Sequence, residues 1–203
     1  MNILNGPQLR ERILKIASSA TAMDFAVAFW GAGSIKALGL SEIRKARIIC
    51  NLTMGGTSPK VIRELIDIGF EVRHLDTLHS KIYLFDDVAF VGSSNASANG
   101  LSLQGEVLSG WHETNVELSD ASQIAFLKEN FDDIWNKSRP ASDDDLTLAE
   151  KLFNSRRRLI QRVSDLNNID LYDNFNSLET VWKVGDWCFG GLANVIHITD
   201  VDT

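Results

Sequence analysis

Two short, almost unbroken apolar runs constrain this chain more than anything else in it. Asp24 to Trp30 reads DFAVAFW, and Ala46 to Leu52 reads ARIICNL. Runs of this length and composition are strands buried on both faces, because a strand covered on one face only would alternate apolar with polar residues. Helical signals separate them from a third strand at Phe70 to Leu75. Ser34 to Leu40 is a short helix with Ser34 at the N-cap, and Pro59 opens a helix through about Ile68 that Gly69 closes. Strand, helix, strand, helix, strand is the order of an α/β fold on a mixed or parallel sheet. The first run stops at Gly31-Ala32-Gly33, and open α/β sheets place their sites beyond the carboxyl ends of their strands.

The rest of the chain extends this plan. Apolar residues at Leu9, Ile13, Leu14, Ile16 and Ala17 make Gln8 to Ser19 an amphipathic helix. His79 to Phe85 and Val88 to Val91 flank Asp86-Asp87 as the arms of a hairpin. Ser93 to Leu101 is expected to turn into a short helix, Ser102 to Trp111 to form a loop, and Glu113 to Leu118 a further strand. Ser119 to Trp135 carries Ile124, Leu127, Phe131 and Ile134 at helical spacing, with Ser119 or Asp120 as cap. Pro, Ser and acidic residues crowd Lys137 to Asp145, which reads as a linker. That divides the chain into a main domain over residues 1–138 and a C-terminal α+β extension over 139–203, helical from Leu146 to Leu166 and strand-like from Thr180 to Ile198.

Charge and cysteine usage narrow the classes of function. The 203 residues carry a formal net charge of -7, so the chain does not grip a polyanion through overall positive charge, although a local basic groove remains compatible. Cys50 and Cys188 lie in apolar surroundings without metal-ligand spacing and read as reduced core residues of a cytoplasmic protein. Gly6, Pro7 and the charges at Arg10, Glu11 and Arg12 interrupt the amino-terminal segment, so it is not a signal peptide. No run approaches the roughly 18 apolar residues of a membrane span. No membrane partner is expected.

The polar chemistry is concentrated between His79 and Leu101. On a strand, His79 and Lys81 project to the same face, while Ser80 and Ile82 point the other way. The returning strand delivers Gly92-Ser93-Ser94-Asn95 and brings Asn95 back beside them. An imidazole flanked by an ammonium, a side-chain amide and free backbone amides is an oxyanion or phosphate pocket. Ser93 and Ser94 support it as turn residues.

His79-x-Lys81, then Asp86, then Gly92-Ser93-Ser94-Asn95 resembles the HKD motif of the phospholipase D superfamily: His-x-Lys, four residues, Asp, six residues, Gly-Ser-x-Asn. Here five residues separate Asp86 from Gly92, a shortening by one. The segments before and after the motif are similar to the small nuclease branch of that family. The resemblance implies a mixed sheet flanked by helices and a phosphodiester transfer that uses neither metal nor other cofactor. In it His79 attacks phosphorus to form a phosphohistidine, and a second histidine protonates the leaving oxygen. Lys81 and Asn95 hold the non-bridging oxygens. Asp86 is a supporting charge. Asn115-Val116-Glu117 is similar to the acidic strand that follows the motif, so Glu117 orients the His79 ring, with Glu113 and Glu106 as alternatives.

The chemistry needs two such motifs and this chain has one, since neither His74, His112 nor His197 is followed two residues later by Lys. The expectation is a homodimer that joins two half-sites across a two-fold axis. The expected substrate is nucleic acid, DNA before RNA. The alternatives are a phospholipid headgroup, or a non-catalytic DNA-binding module of a restriction or defence system. Arg156, Arg157 and Arg158 are candidate contacts to a nucleic-acid backbone, set against the simpler reading of a solvated helix face. Trp182, Trp187 and Phe189 read as core residues of the extension.

Overall fold

The computed structural model describes residues 1–43, 45–103 and 111–166, with side chains up to Arg158. The expectations for Glu106, Cys188, His197 and the 180–198 segment with its aromatic residues lie outside the described residues. The chain divides into two units, Met1–Arg158 and Leu159–Thr203, and all that follows concerns the first.

Eight strands form one mixed sheet. They are β1 (Asn2–Leu4), β2 (Met23–Val27), β3 (Ala46–Cys50), β4 (Glu71–His74), β5 (Lys81–Leu84), β6 (Ala89–Gly92), β7 (Asn115–Leu118) and β8 (Arg139–Pro140), in the order β1-β7-β6-β5-β2-β3-β4-β8. β2, β3 and β4 run parallel; β5, β6, β7 and β1 continue from β2 as antiparallel neighbours, and β8 lies antiparallel to β4. The two buried runs of the sequence are therefore the middle of the sheet.

Period-two alternation splits these strands between two cores. Met23, Phe25 and Val27 of β2, Ile48 and Cys50 of β3, Tyr83 and Phe90 face one core, and Ala26, Ile49, Ile82, Leu84 and Ala89 face the other. The first is covered by α1 (Gly6–Ala17), α2 (Ser34–Ala37), α3 (Pro59–Asp67) and the start of α5 (Asp143–Leu166), through Leu9, Ile13, Ile35, Ile62, Leu65, Leu146 and Ala149. The second is closed by α4 (Ala121–Lys137), through Ile124 and Phe131. Arg47 locks α4 down, pairing bidentately with Asp24, reaching Asp132 at 2.9 Å, and stacking over Phe131 at 4.8 Å.

Three expectations need correction. Ser34 is not a cap: Gly33, at φ 81°, holds the N-cap position of α2, and the Ser34 hydroxyl is buried within the helix. No helix follows Ser93; the segment turns, and Ala96 forms a parallel bridge to Trp30, which draws the backbone away from helical pairing. Lys137 to Asp145 is not a linker. Arg139 and Pro140 pair with His74 and Arg73 at the sheet edge, a position where a residue without an N–H is tolerated. Ser142 and Asp145 then exchange hydrogen bonds in a capping arrangement that starts α5, and Arg139 pairs with Asp145 from outside. The same residue types that loosen a linker have here been used as edge and cap, so the compact unit runs past residue 138 to Arg158.

Candidate active site

One end of the sheet gathers the carboxyl ends of β2, β3 and β6 with the amino ends of β5 and β7, so their flanking segments meet there. The backbone stitches them together: Ala28 N–H donates to Ser80 at 2.9 Å, Asn51 N–H to Ala28 at 2.9 Å, Gly31 N–H to Ala96 at 2.8 Å and Ser58 N–H to Trp30 at 2.7 Å. The strand after β2 is thus the spine on which the other loops hang.

His79 and Lys81 stand together as their spacing required. The Lys81 ammonium donates to the His79 carbonyl at 2.8 Å and lies 3.4 and 3.3 Å from Nδ1 and Nε2 of its ring. Lys81 is buried while His79 is exposed. The Phe29 ring meets His79 edge-on, with centroids 6.0 Å apart, and Phe29 N–H donates to Oδ1 of Asn95 at 3.2 Å. Asn95 is therefore brought to His79 through Phe29, with its amide carbonyl already engaged.

The Gly-Ser-Ser-Asn turn is held from behind by a residue that the sequence reading did not single out. Asn115 accepts from Ser94 N–H at 3.2 Å and donates to the Ser94 hydroxyl at 2.9 Å, and Tyr83 donates to the Ser94 carbonyl at 2.9 Å. Both Ser94 and Asn115 are fully buried, so Ser94 supports the turn and does not face a substrate. Ser93 is exposed and donates to the Glu113 carboxylate. An asparagine at the head of a strand that pairs inside the sheet is the signal that could have found Asn115, because its side chain must find partners when buried.

The acidic residues distribute differently from expectation. Glu117 lies opposite Phe90, which lies opposite Tyr83, four residues beyond His79; at ~3.3 Å per residue that is on the order of 13 Å along the sheet. Its carboxylate is taken by Arg12, at 3.0 and 2.7 Å, and by Asn2 at 3.3 Å. The Arg12 hydrogen bond holds it below the usual carboxylate range. Glu113 is the acid at the His79 end of the sheet, bonded to Ser93 and exerting its charge on Lys81. Asp86 sits at the opposite end of β5, accepting from Thr21 N–H and Thr21 hydroxyl at 2.9 Å each, and so pins the entry to β2. Its role is structural support, made by hydrogen bonds more than by charge.

Asn51, fully buried at the end of β3, is a second residue missed. It donates to the carbonyls of Asp76 and Leu78 at 2.6 and 3.2 Å, and accepts from Thr53 and Met54 backbone N–H at 2.9 and 3.2 Å. One side chain thereby fixes both the 53–58 loop and the loop that delivers His79. Its polar character at the close of an apolar run was the available signal.

Electrostatics prepares His79 as a base or nucleophile. Although the side chain is exposed, partial loss of hydration at its place on the sheet end first, and the Lys81 charge second, lower its pKa from the ordinary imidazole value, so the neutral ring with its free lone pair persists to lower pH. An NMR titration of His79 should show a midpoint below ~6.5. In Lys81→Met the midpoint should rise but stay short of the free value, because only the smaller of the two causes is removed; an unmoved midpoint would refute this account.

Known proteins share this fold. The family model described as "Cardiolipin synthase, PLD-like domain" matches residues 38–135. Nuc from Salmonella typhimurium, a phospholipase D family member, superposes with a TM-score of 0.56 at 18% identity over 70% of this chain and 99% of its own. NucT from Helicobacter pylori gives 0.55 at 17% identity over 69% and 98%. Phosphatidylserine synthase from Haemophilus influenzae Rd KW20 gives 0.51 at 10% identity, covering 75% of this chain and 42% of that one. No curated protein sequence matches the chain. The fold is that of a phospholipase D-like α/β domain, and within it residues 38–135 are similar to the phospholipase D superfamily.

Proposed function

We propose that the chain is a phosphodiesterase acting on nucleic acid, DNA in preference to RNA, through a phosphohistidine formed on His79. The observation that carries this reading is the contact of the Lys81 ammonium with the His79 ring, at the same sheet end as Asn95 and Glu113. The imidazole lone pair attacks phosphorus, an N–P bond forms and a P–O bond breaks, and the leaving oxygen takes a proton from a second imidazolium. That second histidine then draws a proton from water, whose oxygen attacks phosphorus and releases His79. Lys81 and the Asn95 amide offset the charge on the non-bridging oxygens. Glu113, bonded to Ser93 and close enough to act on Lys81, takes the acidic role in place of Glu117.

The second histidine is His79 of another copy, since the chain has one motif. The likeness to Nuc and NucT, which it spans almost end to end, favours nucleic acid over the lipid headgroup that the match to the synthase model and phosphatidylserine synthase would suggest. Cleavage of an oligodeoxynucleotide should persist in excess chelator and fall per protomer on dilution, in step with dissociation measured by sedimentation. Full activity from a monomer, or an absolute requirement for a divalent cation, contradicts the reading.

A further inference from the structure

The three arginines of α5 have three different surroundings. Arg157 lies over the Phe153 ring at 5.8 Å and is exposed, as is Arg158. Arg156 is half-buried where α5 crosses the 53–58 loop. That crossing depends on two glycines. Gly55 has φ +64°, and a Cβ there would stand 3.0 Å from the Leu152 carbonyl oxygen; a Cβ on Gly56 would stand 2.6 Å from Cδ1 of Phe29 and 2.9 Å from Nη1 of Arg156. The guanidinium and the Phe29 ring therefore share the space above Gly56. Phe29 is also the ring whose edge meets His79.

We propose that Arg156 holds the phosphate next to the scissile one, so that the site selects a chain of linked phosphodiesters over an isolated diester. The proposal rests on the phosphodiesterase reading above and names the feature of the substrate that Arg156 recognises. A guanidinium keeps its charge at any working pH and offers a planar fork suited to phosphate oxygens. Beside an aromatic wall that excludes water its attraction for an anion is stronger than on an open surface. Lys81 and Asn95 serve one phosphate, and a chain with net charge -7 repels a polyanion unless further cations stand along its path. Arg156 is a cation reached from His79 through one ring.

The competing role is a brace between α5 and the loop, and two substrates separate the possibilities. Steady-state kinetics of the full chain, with Arg156→Ala and Arg156→Lys, would use a short single-stranded oligodeoxynucleotide and bis(p-nitrophenyl) phosphate, which has one diester and no neighbouring phosphate. Arg156→Ala should raise KM for the oligonucleotide roughly tenfold more than for the single diester, with Arg156→Lys recovering part of the difference, and the salt dependence of oligonucleotide KM should weaken by about one phosphate contact. Because KM does not depend on the fraction of folded enzyme, a variant of reduced stability still reports. Equal changes on both substrates, or none on either, overturn the proposal while leaving the phosphodiesterase reading intact. Turnover of neither substrate by the wild-type chain overturns both.

Discussion

Replacing His79 by alanine should lower phosphodiester turnover by roughly four orders of magnitude or more, the scale on which loss of a covalent nucleophile is felt. The same change should leave the melting temperature nearly untouched, because His79 is exposed and substitutions on an exposed surface usually move stability by less than about 0.5 kcal/mol. Rapid acid-free quenching with labelled substrate should trap protein-bound phosphate in the wild type and none in the variant. Residual turnover within tenfold of wild type would remove His79 from the nucleophile's role and with it the proposed route.

The largest effect on stability is expected from the smallest change, Gly92→Ala. Gly92 ends β6 directly opposite Asn115, and a Cβ there would fall 2.3 Å from Oδ1 of Asn115, 2.5 Å from the Thr114 carbonyl oxygen and 2.6 Å from the Asn115 Cα. Two of those atoms are backbone, so no rotamer change relieves the contact. Separating β6 from β7 is the only escape, and it breaks the Ser94–Asn115 hydrogen bonds that seat the turn. Overpacking of this kind costs about 1–3 kcal/mol or more, and each buried polar group left without a partner adds a further ~1–3 kcal/mol. Chemical denaturation should therefore show a loss of about 3 kcal/mol or more, and any folded fraction should have little activity, because Asn95 is displaced with the turn. Wild-type stability in Gly92→Ala would mean that the motif glycine has some purpose other than making room for Asn115.

The middle of the sheet was legible because DFAVAFW and ARIICNL are buried on both faces, and burial on both faces leaves a continuous apolar run. His79 and Lys81 were legible because strand geometry alone puts residues two apart on one face. Asn95 was less so: its meeting with His79 goes through Phe29, which its own segment presents as one more core aromatic. Glu117 misled because its segment resembles the acidic strand that follows the motif, whereas its side chain answers to Arg12, 105 residues away in sequence. No local pattern records such a pairing. The 137–145 segment misled for the opposite reason, since Pro, Ser and Asp serve linkers, strand edges and helix caps alike, and only the presence of β4 as a neighbour decides among them.

Asn51 gives the site a property of a different kind. Its one amide fastens two loops at once, the glycine loop under α5 and the approach to His79, so neither can be lengthened or redrawn without disturbing the other. A chain wired in this way has little freedom to alter its reach on that side through small steps. Among the described residues Asn51 makes no connection to the segment that follows Asn95, so variation there leaves both of its loops fastened.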